Sequence, residues 1–241
     1  MDINFKVKHQ RPQRLSDPYH DFSENRLSEI LEKKDCELTW NDFSDLFGPH
    51  LPAGSYEEVV YFLPLAFSEI QNNSDDALDL ITPVFVFCSK NYEQLTIDGN
   101  IEFVNHHITH CLKQWTSSFE IKHFDKNACL KKGWGIEYFY YVVNSELVCA
   151  CISELVEYGS FSSLATSFVK SLTNDKVGAL WFLELSRARC DVYHPPNQGE
   201  IANMLSNSTL LNVAYEMVFS EIMDDTKSPT YWTDTLNEIA I

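Results

Sequence analysis

Apolar side chains recur along this chain at steps of three and four, and that period constrains the fold more than any other feature. Ile101, Val104, Ile108, Cys111, Leu112 and Trp115 fall on one stripe of a helix expected over 100–119. Ile136, Tyr140, Val143, Leu147, Cys151, Leu155 and Tyr158 trace a longer stripe, closed by Gly159. No Asn-Gly or Asp-Gly stands between alternating runs, the usual hairpin signal. The expected fold class is all-α, as an irregular helical bundle or a short stack of helical hairpins.

Helix starts carry their own chemistry. Asp21 with Glu24, Thr39 with Asp42 and Ser55 with Glu58 all have capping-box spacing, in which each end of a four-residue step satisfies the other's backbone N–H. Ser74, Asp75 and Asp76 open ALDLITPVFVF, and acids in a first turn suit the helix dipole. Pro64 and Pro83 fall inside two of these patterns, where each removes a donor and is expected to kink or break its helix. The two segments echo one another in their serine starts and prolines, by chance or as stacked helices of a helical repeat. Val84 to Phe87 also suits a buried strand, but its surroundings favour helix. Four further helices are expected at 161–172, 175–190, 198–223 (with a break near Asn207-Ser208) and 229–239. Ser228-Pro229 starts the last of these.

At 241 residues the chain needs no disulfide or metal to bury a core. Residues 1–22 lack periodicity and read as an N-terminal arm. Residues 23–241 read as a single helical domain, with a subdomain junction expected near 120–135, where Gly133 and Gly135 loosen the backbone. The N-terminal MDINFKVKHQ has bases but no apolar run of about 7–15 residues, and no later stretch approaches the roughly 20 needed to cross a bilayer. Seven cysteines without a CxxC suit small buried hydrophobes in a reducing cytoplasm. The expected location is therefore cytoplasmic.

Charge is unevenly placed. The net charge is −17, which argues against non-specific nucleic-acid binding and against anionic membranes. Residues 35–112 hold thirteen acids against one base, Lys90. Such a stretch reads either as a solvated face or as a docking surface for a basic protein, where complementary potentials speed association. The candidate partner-binding residues are Asp42, Asp45, Glu57, Glu58, Asp75, Asp76 and Asp79. Trp40, Phe43, Phe47, Tyr56, Tyr61 and Tyr92 lie among the acids and would serve as anchors wherever they are exposed. The basic cluster Lys122, Lys126, Lys131 and Lys132 is placed to tie down against the acidic face.

Catalytic motifs are sparse. There is no GxSxG, no GxxxxGK[ST] and no GxGxxG. His106 and His110 have the i, i+4 spacing of HExxH zinc sites, but the glutamate is missing and His107 stands in the interval. His123, Glu102 or Cys111 would have to complete such a site. Glu120 with His123 forms one ExxH step, without the second copy that a dinuclear bundle site requires. The expectation is a non-enzyme with no catalytic residues, metal or cofactor.

The segment Leu46-Phe47-Gly48-Pro49-His50-Leu51-Pro52-Ala53-Gly54-Ser55-Tyr56-Glu57-Glu58, followed by Val59 to Phe67, in a small, acidic, helix-rich chain, resembles immunity proteins of bacterial polymorphic-toxin, contact-dependent and type VI secretion systems. The resemblance is one of type, covers under a tenth of the chain and transfers no residue role. It implies a cognate toxin or effector, often basic, held inactive by tight binding. The leading expectation is thus an acidic helical binding protein that neutralises a basic partner. An acidic scaffold, adaptor or nucleic-acid mimic is the alternative, and a metal-dependent hydrolase using His106 and His110 is the third reading.

Overall fold

In a computed structural model of the chain, the described residues are 5–6, 10–17, 22–48, 54–72, 77–123, 140–157, 159–188, 199–225 and 227–239. Helices dominate, and the all-α expectation holds. In chain order they are α1 (Glu24–Glu32), α2 (Trp40–Phe47), α3 (Tyr56–Val59), α4 (Leu63–Asn72), α5 (Ala77–Lys90), α6 (Tyr92–Ile97) and α7 (Ile101–Trp115). After two short strands, β1 (Ile121–His123) and β2 (Tyr140–Val142), come α8 (Ser145–Glu157), α9 (Ser162–Ser171), α10 (Lys176–Ala188), α11 (Gly199–Leu205), α12 (Ser208–Asp224) and α13 (Pro229–Glu238).

Local chemistry accounts for several of these boundaries. Glu58 accepts the Ser55 N–H at 2.9 Å, and Asp42 accepts the Thr39 N–H at 2.7 Å, so both boxes form. The first helix departs from expectation. Its cap is Ser23, whose hydroxyl accepts the Arg26 N–H, and Asp21 lies outside the described residues. Pro64 sits at the second position of α4, in a first turn, where a missing N–H is tolerated, and a 3-10 turn over Val60–Phe62 separates it from α3. Pro83 does not break α5, which runs through it, and Val84 to Phe87 are helical. Asn207 divides α11 from α12, accepting the N–H groups of Thr209 and Leu210. Pro229 begins α13 as expected.

The long helix expected from Ile136 is the main correction. Residues 136–139 lie outside the described set, but Tyr140–Val142 is a strand whose side chains alternate buried, exposed, buried. It pairs antiparallel with β1 in the register Ile121↔Val142, Lys122↔Tyr141 and His123↔Tyr140. Asn144 takes a left-handed φ of 65°, which ends the strand before α8 starts. A three-residue strand is too short to show its period beside a helix of thirteen residues.

Contacts divide the chain into two units, Met1–Cys111 with Glu157–Ser162 and Leu112–Val156 with Ser163–Ile241, with boundaries inside α7, α8 and α9. Of the expected junction, 124–135 lies outside the described residues. In the first unit α2, α4 and α5 pack on one another around Phe47, Phe62, Phe67 and Phe85. The described part of the N-terminal lead-in is held to this unit. Lys6 and Asn100 exchange two hydrogen bonds, Arg11 pairs with Asp35, and Leu15 is buried. In the second unit α10 is central. It packs against α11, α12 and α13 and buries Trp181 and Phe182. Cys88, Cys111, Cys149 and Cys151 are buried thiols, and Cys36 is exposed.

Candidate functional site

The seven acids expected to bind a partner divide into three groups. Asp42 has no exposed surface. It receives Lys33 Nζ at 2.7 Å, Arg26 Nη2 at 2.9 Å, and both the N–H and hydroxyl of Thr39. Burial pushes its carboxyl up, but these bonds outweigh that and hold it below the usual range. Asp45 is half-buried and accepts Arg26 Nε at 2.7 Å. Glu58 caps α3 and also accepts the N–H and hydroxyl of Ser16. These three serve the fold. Glu57 and Asp79 are exposed, each in the first turn of its helix. Asp75 and Asp76 lie outside the described residues.

The thirteen-to-one imbalance of residues 35–112 has a local cause. The segment is cut into short helices, and their first turns contain Asp42, Glu57, Glu58, Asp79, Glu93 and Glu102. Each lies where the exposed N–H groups of a helix favour a negative charge. The matching bases come from residues 11–33: Arg11 reaches Asp35, Arg26 reaches Asp42 and Asp45, and Lys33 reaches Asp42. What remains open is a smaller set. Glu57, Asp79, Glu93 and Glu102 are exposed and have no cation within ion-pair distance among the described residues.

The aromatic side chains among the acids are mostly spent on the first unit. Phe43 and Phe47 are buried, Tyr56 stacks on Phe87 and donates to Asp98, and Tyr61 donates to Asp35. Tyr92 meets Phe161 edge-on. Of the basic cluster only Lys122 is described, and it is exposed, 3.9 Å from Glu120.

The histidines of α7 separate by environment. His106 and His110 are exposed, with ring centroids 6.2 Å apart. His107 turns inward, its centroid 4.0 Å from Phe103 and 5.5 Å from Phe67, and meets Gln71 through Nδ1 at 2.8 Å. Burial lowers its pKa to about 4, and His106 and His110 add to the shift. Among the described residues no three His, Cys, Asp or Glu side chains converge as a metal site.

The second unit contains a cavity of about 380 Å³ beside β1, lined by Phe119, Glu120, His123, Asp225, Ser228 and Trp232 among others. Phe119 stacks on Trp232 at 5.9 Å and meets Trp181 edge-on. Glu120 and His123, the ExxH step, therefore do share a site. His123 Nε2 meets Ser228 Oγ at 2.9 Å, and Asp225 accepts the Ser228 N–H at 3.1 Å. This arrangement is poor for nucleophilic chemistry. A serine nucleophile needs a histidine base oriented from behind by a carboxylate. Here the carboxylate stands on the serine's side, where it opposes an alkoxide, and Ser228 is buried. Asp225 is further occupied by Trp232 Nε1 at 3.0 Å. The cluster ties the start of α13 to β1.

Sequence reading missed the polar centre of the second unit. Glu184 of α10 is fully buried and accepts Ser145 Oγ, Tyr231 Oη and two N–H groups of Arg187. A charged Glu three residues from an Arg is so common on exposed helices that spacing alone marks nothing unusual.

The chain matches no family model, and no curated protein and no solved structure shows a significant likeness to it.

Proposed function

We propose that this is an acidic helical binding protein that neutralises a basic protein partner. Its form would be that of an immunity protein holding a toxin or effector inactive, as the segment 46–67 resembles. The observation that carries the reading is the set Glu57, Asp79, Glu93 and Glu102, open to solvent and without a cation among the described residues, on a chain of net charge −17. Such charges steer a basic molecule and raise its association rate by about 10–10³ at low salt. They leave affinity itself to buried contacts. Asp42 is buried, and half-buried Asp45 and Glu58 already bond within the first unit, so the open acids are the stronger candidates for this surface.

The test is stopped-flow association with the product of the adjacent gene across a salt series. The double reversal Glu57→Lys/Asp79→Lys is expected to slow association and flatten its salt dependence while the helical circular-dichroism signal stays unchanged. An on-rate and salt slope equal to the parent's would reduce these acids to solubility.

A further inference from the structure

Helix α12 buries Leu211, Ala214, Val218 and Ile222, a stripe at steps of three and four. A helix packed on one side ordinarily turns polar residues outward. This one does not. Val213 is 43% exposed, Phe219 47% and Met223 64%, and these are three of the five large apolar side chains exposed among the described residues. Tyr215, half-buried, meets Phe219 edge-on at 5.6 Å. At about 100° per residue, Tyr215, Phe219 and Met223 fall on one continuous strip. Scattered apolar residues need no explanation, but neighbouring ones on one helix suit contact with another molecule.

Charge selects the occupant. Every charged residue of α12 is acidic: Glu216, Glu221 and Asp224. Lys176 takes up Glu221, whereas exposed Glu216 and Asp224 have no cation among the described residues. A second copy laid against this face would bring like charges together, which costs affinity and disfavours the pairing. A helix with apolar residues on one side and lysine or arginine flanking them satisfies both the strip and its edges.

We propose that the Tyr215–Phe219–Met223 strip of α12, edged by Glu216 and Asp224, docks a basic amphipathic helix of the partner protein. This rests on the basic-partner reading and adds the surface that supplies affinity.

The probes are two helical peptides of equal positive charge, one Leu/Lys and amphipathic, the other Ala/Lys, titrated by calorimetry into the full chain. The Leu/Lys peptide is expected to bind about tenfold tighter or better, because only it can bury side chains against Phe219 and Met223. Phe219→Ser/Met223→Ser is expected to abolish that preference, and Glu57→Lys/Asp79→Lys to preserve it. A preference that survives Phe219→Ser/Met223→Ser overturns this surface while leaving the basic-partner reading intact. If neither peptide binds, the surface again fails, and the basic-partner reading is then decided by stopped flow with the adjacent gene's product. A parent dimer in sedimentation that Phe219→Ser/Met223→Ser converts to monomer also overturns the proposal, since the occupant is then a second copy. Should the apolar pair fail to fold, the edge reversal Glu216→Lys/Asp224→Lys reads the same face. It is expected to weaken the Leu/Lys peptide about tenfold, and no weakening overturns the proposal.

Discussion

Tyr231 and Glu184 lie 47 positions apart in sequence, yet the tyrosine hydroxyl donates to the Glu184 carboxylate at 2.8 Å inside the second unit. The same carboxylate accepts Ser145 at 2.6 Å and a two-pronged contact from Arg187 at 2.8 Å on each prong. Burial disfavours the arginine's charge, but the bonds to Glu184 outweigh that and push its pKa up. Burial and the neighbouring carboxylate push the Tyr231 phenol up as well. The cluster thus links α8, α10 and α13 through one ion.

Removing one partner of such a pair leaves an uncompensated buried charge. Glu184→Ala is expected to destabilise the protein by about 3–5 kcal/mol, read by urea unfolding with tryptophan fluorescence. The double change Glu184→Leu/Arg187→Met is expected to cost less than Glu184→Ala alone. A single-variant cost below about 1 kcal/mol would show that the ion pair is not the link.

Asp42 sets an acid limit on the first unit. Its folded pKa lies below its ordinary value of 3.8, so the unfolded chain takes up this proton first as pH falls. The stability it contributes is therefore complete above about pH 4 and drains away as pH drops through the depressed folded value. Asp42→Asn is expected to lose about 1.5–3 kcal/mol at neutral pH, the usual worth of hydrogen bonds to a charged group, and to flatten the acid limb. Denaturation midpoints measured from pH 5 to pH 2 provide the check.

His107 acts at higher pH and in the same direction. Unfolded, it protonates near 6.5, whereas in the fold it stays neutral to about 4. Between those values the unfolded chain binds the extra proton, so stability falls as pH falls from 6.5 to 4. Proton uptake would also set Nδ1–H against the amide of Gln71. His107→Gln is expected to flatten the slope in this window, leaving the Asp42 limb below it. An NMR titration placing His107 near 6.5 would contradict the structure.

Gly178 is fixed by the close approach of the turn that precedes its helix. A Cβ there would lie 2.3 Å from the carbonyl oxygen of Leu172, which is backbone and has little room to yield. The expected cost of Gly178→Ala is about 1–3 kcal/mol or more, although alanine is the better helix former. Thermal unfolding measures it, and a raised midpoint would refute the clash.

Short-range chemistry was legible without a structure wherever it is complete within one helical turn. Thr39 with Asp42, Ser55 with Glu58, the break at Asn207 and the start at Pro229 all depend on neighbours a few positions apart. The apolar period likewise established helix as the dominant element, because burying one stripe is a property of each segment by itself. The stripe failed at Tyr140, where three residues satisfy both periods and the pairing partner β1 decides between them.

Charge was the property sequence could count but not place. A run of acids says nothing about whether a carboxylate meets solvent or an arginine from another helix, since ion pairing acts over a few ångströms in space whatever the distance along the chain. Folding brought Arg26 and Lys33 onto Asp42, which converted a presumed docking residue into the buried anchor of α1 and α2. It left Glu57 and Asp79 outside, and it placed Phe219 and Met223 in water on α12. The sequence by itself determined that helix dominates, where several helices start, and how much negative charge the chain carries. The tertiary structure alone decided which charges are spent on holding the fold and which remain open to solvent, because desolvation and pairing depend on which elements pack together.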